Sequence, residues 1–182
     1  MKGALDVHRE LLARDLPHEI VRLRRSVLTA AEIPEVLGLA PRRCLAVRIY
    51  HVTADGRPDR LVAVGVPAGL VPSPAALLEA LAACSVRAAS AEQVNAATDF
   101  SSRLVPPVAL PADIELLVDA VFAAADVVYA PTGKGGTALG IRLPDLLKAS
   151  SGRMAALTEP VAGAAVDGLD AELAGLLGEP PG

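Results

Sequence analysis

The stretch Asp126-Val127-Val128-Tyr129-Ala130-Pro131-Thr132-Gly133-Lys134-Gly135-Gly136-Thr137-Ala138-Leu139-Gly140-Ile141-Arg142-Leu143-Pro144-Asp145-Leu146-Leu147-Lys148-Ala149-Ser150 sets the reading of this chain. Two short β-branched or aliphatic runs flank a glycine cluster, and a segment with Pro144 near its start follows. That pattern predicts strand, tight loop, strand, helix. Gly133, Gly135 and Gly136 crowd together as glycines do where the backbone needs positive φ or very close approach by another group. Two readings are open. The cluster is a hairpin turn, or it is a rim of backbone N–H groups facing an anionic or sugar-phosphate ligand, with Lys134 beside it.

Upstream, Leu116 to Ala124 reads as a helix, and residues 98–113 as a loop with Pro106, Pro107 and Pro111 and no helical period. A loop of that length inside a compact domain is more often functional than idle. Ser90-Ala91-Glu92-Gln93 is a capping box opening a helix onto Val94, and a short strand, Ser85 to Ala88, precedes it. Ser73 and Pro74 open another helix running to about Cys84. Arg43 to His51 is the clearest strand: Leu45, Val47 and Ile49 point one way, Cys44, Ala46, Arg48 and Tyr50 the other. The turn Thr53-Ala54-Asp55-Gly56 folds it back onto a strand from Arg60 to Val66. Nearer the start, residues 4–14 have a helical apolar stripe, His18 to Leu23 alternates as a strand, and Thr29 to Glu32 caps a short helix that Gly38 can close. Beyond Ser150, Met154 to Leu157 can add an edge strand. The tail from Glu159 is rich in Ala and Gly, with a last helix expected over Leu169–Leu177 and a frayed end. The fold class that follows is α/β or α+β: one domain over residues 1–158 with a central mixed, strongly curved sheet and flanking helices, then a C-terminal extension over 159–182.

Composition narrows the function. Hydrophobic residues make up 52% of the 182 but aromatics only 2%, with no Trp, so a protein that stacks exposed bases on aromatic platforms is not expected. The net charge of −4 argues against a general nucleic-acid binder. Residues 1–60 nevertheless carry 11 Lys/Arg against 8 Asp/Glu, and the remainder 6 against 13. Arg22, Arg24, Arg25, Arg42, Arg43 and Arg48 therefore either build a modest basic face or are scattered, solvated side chains. No apolar run is long enough for a membrane span, and no signal-peptide pattern opens the chain, so a soluble cytoplasmic protein is expected. Cys44 and Cys84 lie among apolar neighbours and read as two buried free thiols.

The residues make no catalytic triad and no metal constellation, and they call for no cofactor. His8, His18 and His51 have no ligand or acid–base spacing. Gly133-Lys134 is not a P-loop: Val128 stands where the first glycine belongs, and Gly135 where Ser or Thr should follow the lysine.

The order of parts resembles the YbaK/EbsC family, the editing domains associated with prolyl-tRNA synthetase. The resemblance spans roughly residues 4–150. It rests on His18-Glu19-Ile20, on Gly38-Leu39-Ala40-Pro41 leading into the strand Cys44–Ile49, and on Val64-Gly65-Val66-Pro67-Ala68. It continues in Ser90-Ala91-Glu92-Gln93-Val94, in the Pro-rich loop ending Leu110-Pro111, and in Gly133-Lys134-Gly135-Gly136 with Pro144-Asp145-Leu146-Leu147. It implies a pocket for the aminoacyl end of a mischarged tRNA, where water attacks the ester that joins a wrong amino acid to the terminal ribose. Positioning and oxyanion stabilisation carry such a reaction without a metal or a nucleophilic side chain. A synthetase is a further partner the resemblance implies.

Register with the family puts Ala46 at its pocket lysine and Leu104 at the glycine of its loop before a proline. Arg48, two residues along the same strand face, is the replacement cation that can reach the phosphate region. The expected clamp is therefore Arg48 with Gly133, Lys134, Gly135 and Gly136, lined further by Ala46, Leu104, Asn95 and Asp99. Against this stand two plain alternatives: Arg48 as a solvated or ion-paired strand arginine, and Asn95, Thr98 and Asp99 as residues that cap a helix end. Three functions are consistent with the sequence. The chain is an aminoacyl-tRNA deacylase, or an inactive relative that binds an aminoacyl-adenosine-like ligand or tRNA end, or a structural subunit that contacts a protein partner.

Overall fold

The computed structural model describes residues 1–158, so the expected helix over Leu169–Leu177 and the separate extension over 159–182 lie outside the described residues. The strands divide into two sheets. A mixed sheet runs in the order β4 (Ser85–Ala88), β2 (Leu45–Ala54), β3 (Arg57–Pro67), β5 (Glu115–Asp119), β8 (Arg153–Ala155). An antiparallel sheet runs β1 (His18–Arg22), β7 (Thr137–Arg142), β6 (Val127–Pro131). A bridge between Cys44 and Tyr129 links the two. Five helices flank them: α1 (Ala4–Ala13), α2 (Ile33–Leu37), α3 (Pro74–Leu81), α4 (Ala91–Thr98) and α5 (Leu143–Ser150).

The β2–β3 hairpin is the centre of the molecule. It turns at Gly56, where φ is +70°, and pairs Ala46 with Val66 and Arg48 with Val64. The alternation expected along β2 is observed. Leu45, Val47 and Ile49 enter the largest core with Val7 and Leu11 of α1 and Leu143 and Leu146 of α5. Cys44 and Ala46 join a second cluster containing Ala30, Ile33, Val36 and Leu104. Tyr50 and Val52 join a third, under Leu77 and Leu81 of α3. A strand that serves three cores cannot slip by one residue without inverting all of them.

Three expectations need correction. Leu116 to Ala124 is not a helix: Leu116, Leu117 and Val118 are fully buried in β5, which lies parallel to both β3 and β8, and only Ala120–Ala124 coils, as a 3-10 turn capped by the Asp119 carboxylate. Buried on both faces, such a strand shows no alternation to read. The helix α3 stops at Leu81 instead of reaching Cys84, because Ala82 takes the left-handed conformation at φ +46°. Cys84 then falls beyond the helix and is exposed; of the two free thiols only Cys44 is buried.

Candidate functional site

Arg48 lies on the β2 face that carries Cys44 and Ala46 on one side and Tyr50 and Val52 on the other. The second and third clusters cover those neighbours and leave Arg48 between them, exposed. An open cleft of about 340 Å³ lies along β2 beyond its pairing with β4, between residues of the second cluster (Ala30, Ala46) and the first (Val47, Ile49, Val94). Ala46 to Ile49 of β2 form its floor. Thr29, Ala30 and Ala31 form one wall, and Ala88, Ala89, Ala91 and Val94 contribute another; Gly69, Ser102 and Arg103 complete the lining. Most of the walls are bare Cβ atoms, so the space exists because alanines stand where longer side chains would fill it.

Local sequence chemistry fixes each wall. The Glu32 carboxylate accepts the backbone N–H groups of Leu28 and Thr29 at 2.9 and 3.0 Å and pairs with Arg25 at 2.8 Å. The Arg25 contact, followed by the Leu28 N–H, holds that carboxyl below its ordinary value. On the other wall Ser90 caps α4, its hydroxyl accepting the Gln93 N–H while Gln93 accepts the Ser90 N–H in return. The Ala89 N–H donates to Ile49 O, tying the start of that wall to the floor.

The charge is one-sided. Arg48 and Arg103 line the cleft, and no Asp, Glu, His or Cys does. Neither arginine makes an ion pair among the described residues, whereas Arg14, Arg25, Arg142 and Arg153 all do. The nearby Tyr50 hydroxyl is raised above its ordinary pKa by burial, with the charge of Arg48 acting against the rise. Cys44, buried in the second cluster beside Ala46, is pushed up to about 11 by burial, so it is a neutral thiol at physiological pH.

The expected site residues are thus only partly brought together. Ala46 and Arg48 line the cleft. Leu104 is next to it but points inward, buried in the second cluster with Ala46 and Ala30. Its backbone is not left-handed, so a glycine is not required there. The four residues of the glycine turn line no part of the cleft. They form the β6–β7 turn, and their glycines permit close approach. A Cβ on Gly135 would stand 2.0 Å from the carbonyl oxygen of Val27, and one on Gly133, where φ is +93°, 2.5 Å from the Phe100 ring. Gly135 and Gly136 use their carbonyls to accept the N–H groups of Val27 and Leu23. Lys134 is exposed, its alkyl chain lying against Gly3. Asp99 ends α4 in the left-handed conformation and pairs with the chain's N-terminal ammonium at 3.1 Å. Asn95 accepts the Ser102 N–H at 3.0 Å. Both therefore shape the start of the long loop.

Arg103, Thr29 and Ser102 escaped the sequence reading. For Arg103 a cue existed: it is the only Lys or Arg between Arg87 and Lys134, and it sits within the long loop.

Fold and cleft define a class: a mixed α/β domain with a small-walled, cationic pocket beside the first strand of its main hairpin. The chain belongs to the aminoacyl-tRNA editing domain family, whose model matches residues 24–149. Among solved structures, that of hypothetical protein APE2540 is similar at 25% identity and a TM-score of 0.75, covering 85% of this chain and 99% of that one. A protein described as a candidate trans-editing enzyme for prolyl-tRNA synthetase shares the fold at 20% identity and a TM-score of 0.71, with 86% and 96% covered. No curated protein matches the sequence. Among the described residues no helix is long and apolar enough to cross a membrane, and no group of three or more His, Cys, Asp or Glu is placed to hold a metal ion.

Proposed function

We propose that this chain is an aminoacyl-tRNA deacylase that hydrolyses the ester of a mischarged tRNA in the cleft lined by Arg48. The observation that carries the proposal is the pairing of family membership with an open, carboxylate-free cleft lined by Ala46 and Arg48. The reaction adds water to the ester carbonyl and breaks the acyl C–O bond, giving a free amino acid and a ribose hydroxyl. The protein's share is to hold the acceptor end, orient the ester and stabilise negative charge. Arg48 supplies the cation, and Ser102, in the lining beside Arg103, supplies a polar contact. The partner is the 3′ end of an aminoacyl-tRNA, with a synthetase as the source of the mischarged species.

A second reading is favoured by Ala46, which leaves the floor without the family's lysine, and by the lack of any acid–base side chain in the lining. In that reading the cleft binds an aminoacyl-adenosine-like group or tRNA end and does not hydrolyse it. One assay separates the two. Under the deacylase reading, at least one tRNA in a panel of mischarged species loses its amino acid faster than in buffer, and Arg48→Ala suppresses the release. If none is released faster than in buffer, yet Ala46→Lys creates release, the binding reading replaces it.

A further inference from the structure

Arg103 is held from three directions. The residue before it, Ser102, donates its N–H to the Asn95 side chain at 3.0 Å. Its own carbonyl accepts the Ala30 N–H at 3.2 Å, joining the loop to the wall formed by Thr29, Ala30 and Ala31. The residue after it, Leu104, donates its N–H to Ser101 O at 2.9 Å and buries its side chain against Ala30 and Ala46. A loop arginine is ordinarily free to wander; here the backbone on each side is fixed, and the side chain is exposed at the cleft with no acidic group in the lining. Arg48 reaches the same cleft from a central strand, equally without an ion-pair partner among the described residues.

We infer that Arg103 and Arg48 form a two-armed clamp for one phosphate group of an adenosine nucleotide, with Asn95 and Leu104 as the positioning residues that fix the loop arm. The identity of the anion as a nucleotide phosphate rests on the editing reading above; the presence of both arginines in the lining of one cleft does not. Two guanidinium groups on separate rigid elements suit a phosphate, whose oxygens accept paired N–H donors from more than one direction. This also gives Leu104 a role different from that of a flexible loop glycine: it anchors the backbone that carries the arginine.

The phosphate has two sources, a free nucleoside monophosphate or the linkage at an RNA 3′ end. Binding is therefore measured with AMP, adenosine, inorganic phosphate and a short hairpin RNA ending in CCA. Arg48→Gln and Arg103→Gln are each expected to weaken AMP or RNA binding about tenfold or more, the scale of one charge-assisted hydrogen bond. Adenosine binding stays unchanged, and the double variant shows coupling rather than simple additivity. Asn95→Ala weakens binding in the native background but has no further effect once Arg103→Gln is present, which a general loss of structure would not reproduce. Binding of AMP alone assigns the free nucleotide, and binding of RNA alone assigns the acceptor end. The clamp is overturned if Arg103→Gln, folded by circular dichroism, binds AMP and RNA as the native chain does. It is equally overturned if the variant loses adenosine in the same proportion, or if the native chain binds none of the probes. Deacylation is scored separately: release that needs Arg48 but not Arg103 overturns the clamp and leaves the editing reading standing, and coupled AMP binding without release does the reverse.

Discussion

Gly135→Ala is the sharpest test of what the glycine turn is for. The new methyl carbon would lie 2.0 Å from the Val27 carbonyl oxygen and 2.7 Å from Ser26 Oγ, and the nearer of these is backbone that cannot swing aside. Relief requires residues 26–27 to move off the turn, which breaks the Val27 N–H to Gly135 O bond of 2.9 Å and strains the adjacent Leu23 N–H to Gly136 O bond of 3.0 Å. Two backbone bonds at about 1 kcal/mol each, plus about 1–3 kcal/mol for forcing atoms into occupied space, give a loss of about 4 kcal/mol. For a domain of this size that lowers Tm by about 8–16 °C. Gly136→Ala, one residue on, meets no atom within 4 Å and is not at positive φ, so its effect stays within about 0.5 kcal/mol. Urea titration and thermal unfolding of the two variants side by side measure the difference. Equal stabilities would refute the close-approach account. A Gly135→Ala protein that kept its stability but lost ligand would restore the amide-rim reading.

Other expectations follow from the same geometry. Leu104→Ala removes a side chain that is only 6% exposed and should cost about 2–4 kcal/mol in denaturant unfolding; a loss under about 1 kcal/mol would show that Leu104 does not anchor the loop. In the native protein at pH 8, iodoacetamide followed by peptide mass spectrometry should label Cys84 and spare Cys44. With a pKa of about 11, Cys44 carries only about one part in a thousand of thiolate at that pH; equal labelling refutes its burial. The Glu32 carboxyl, depressed chiefly by Arg25, lends stability that is complete above its ordinary value and disappears as pH falls through the lowered one. Glu32→Gln should therefore lessen the acid sensitivity of unfolding, and an unaltered pH profile would count against the contact.

Much of this molecule could be read from local chemistry. The capping boxes at Thr29 and Ser90, the β2–β3 hairpin and its two faces, and the β6–β7–α5 order all follow from residue type and spacing, and each is observed. What failed was non-local. Glu115–Asp119 is a strand because β3 and β8 pair with it on both edges and the core closes over both faces, none of which its own residues encode. Ala82 ends a helix without any glycine to announce it. In the cleft, Ala46 and Arg48 were legible from strand alternation, since one turn of the pleat sets their common face. Arg103 was not, because a loop residue's position depends on bonds to Asn95 and Ala30 that span distant sequence. The glycine turn left two readings open for a related reason: crowded glycines signal proximity, and the sequence does not say whether the neighbour is a ligand or the chain itself.

The parallel insertion of β5 bears on how the molecule is made. As the chain leaves the ribosome, β2 and β3 can zip together at once, but Val62 to Gly65 must wait for Glu115 to Val118 before their outer edge is satisfied. Throughout that interval the nascent protein presents an unpaired, aliphatic strand edge in which Val62, Ala63 and Val64 are all destined for full burial. Slow translation between the two segments should prolong that exposure, so synonymous codon changes there are expected to alter soluble yield without altering a single residue of the finished fold.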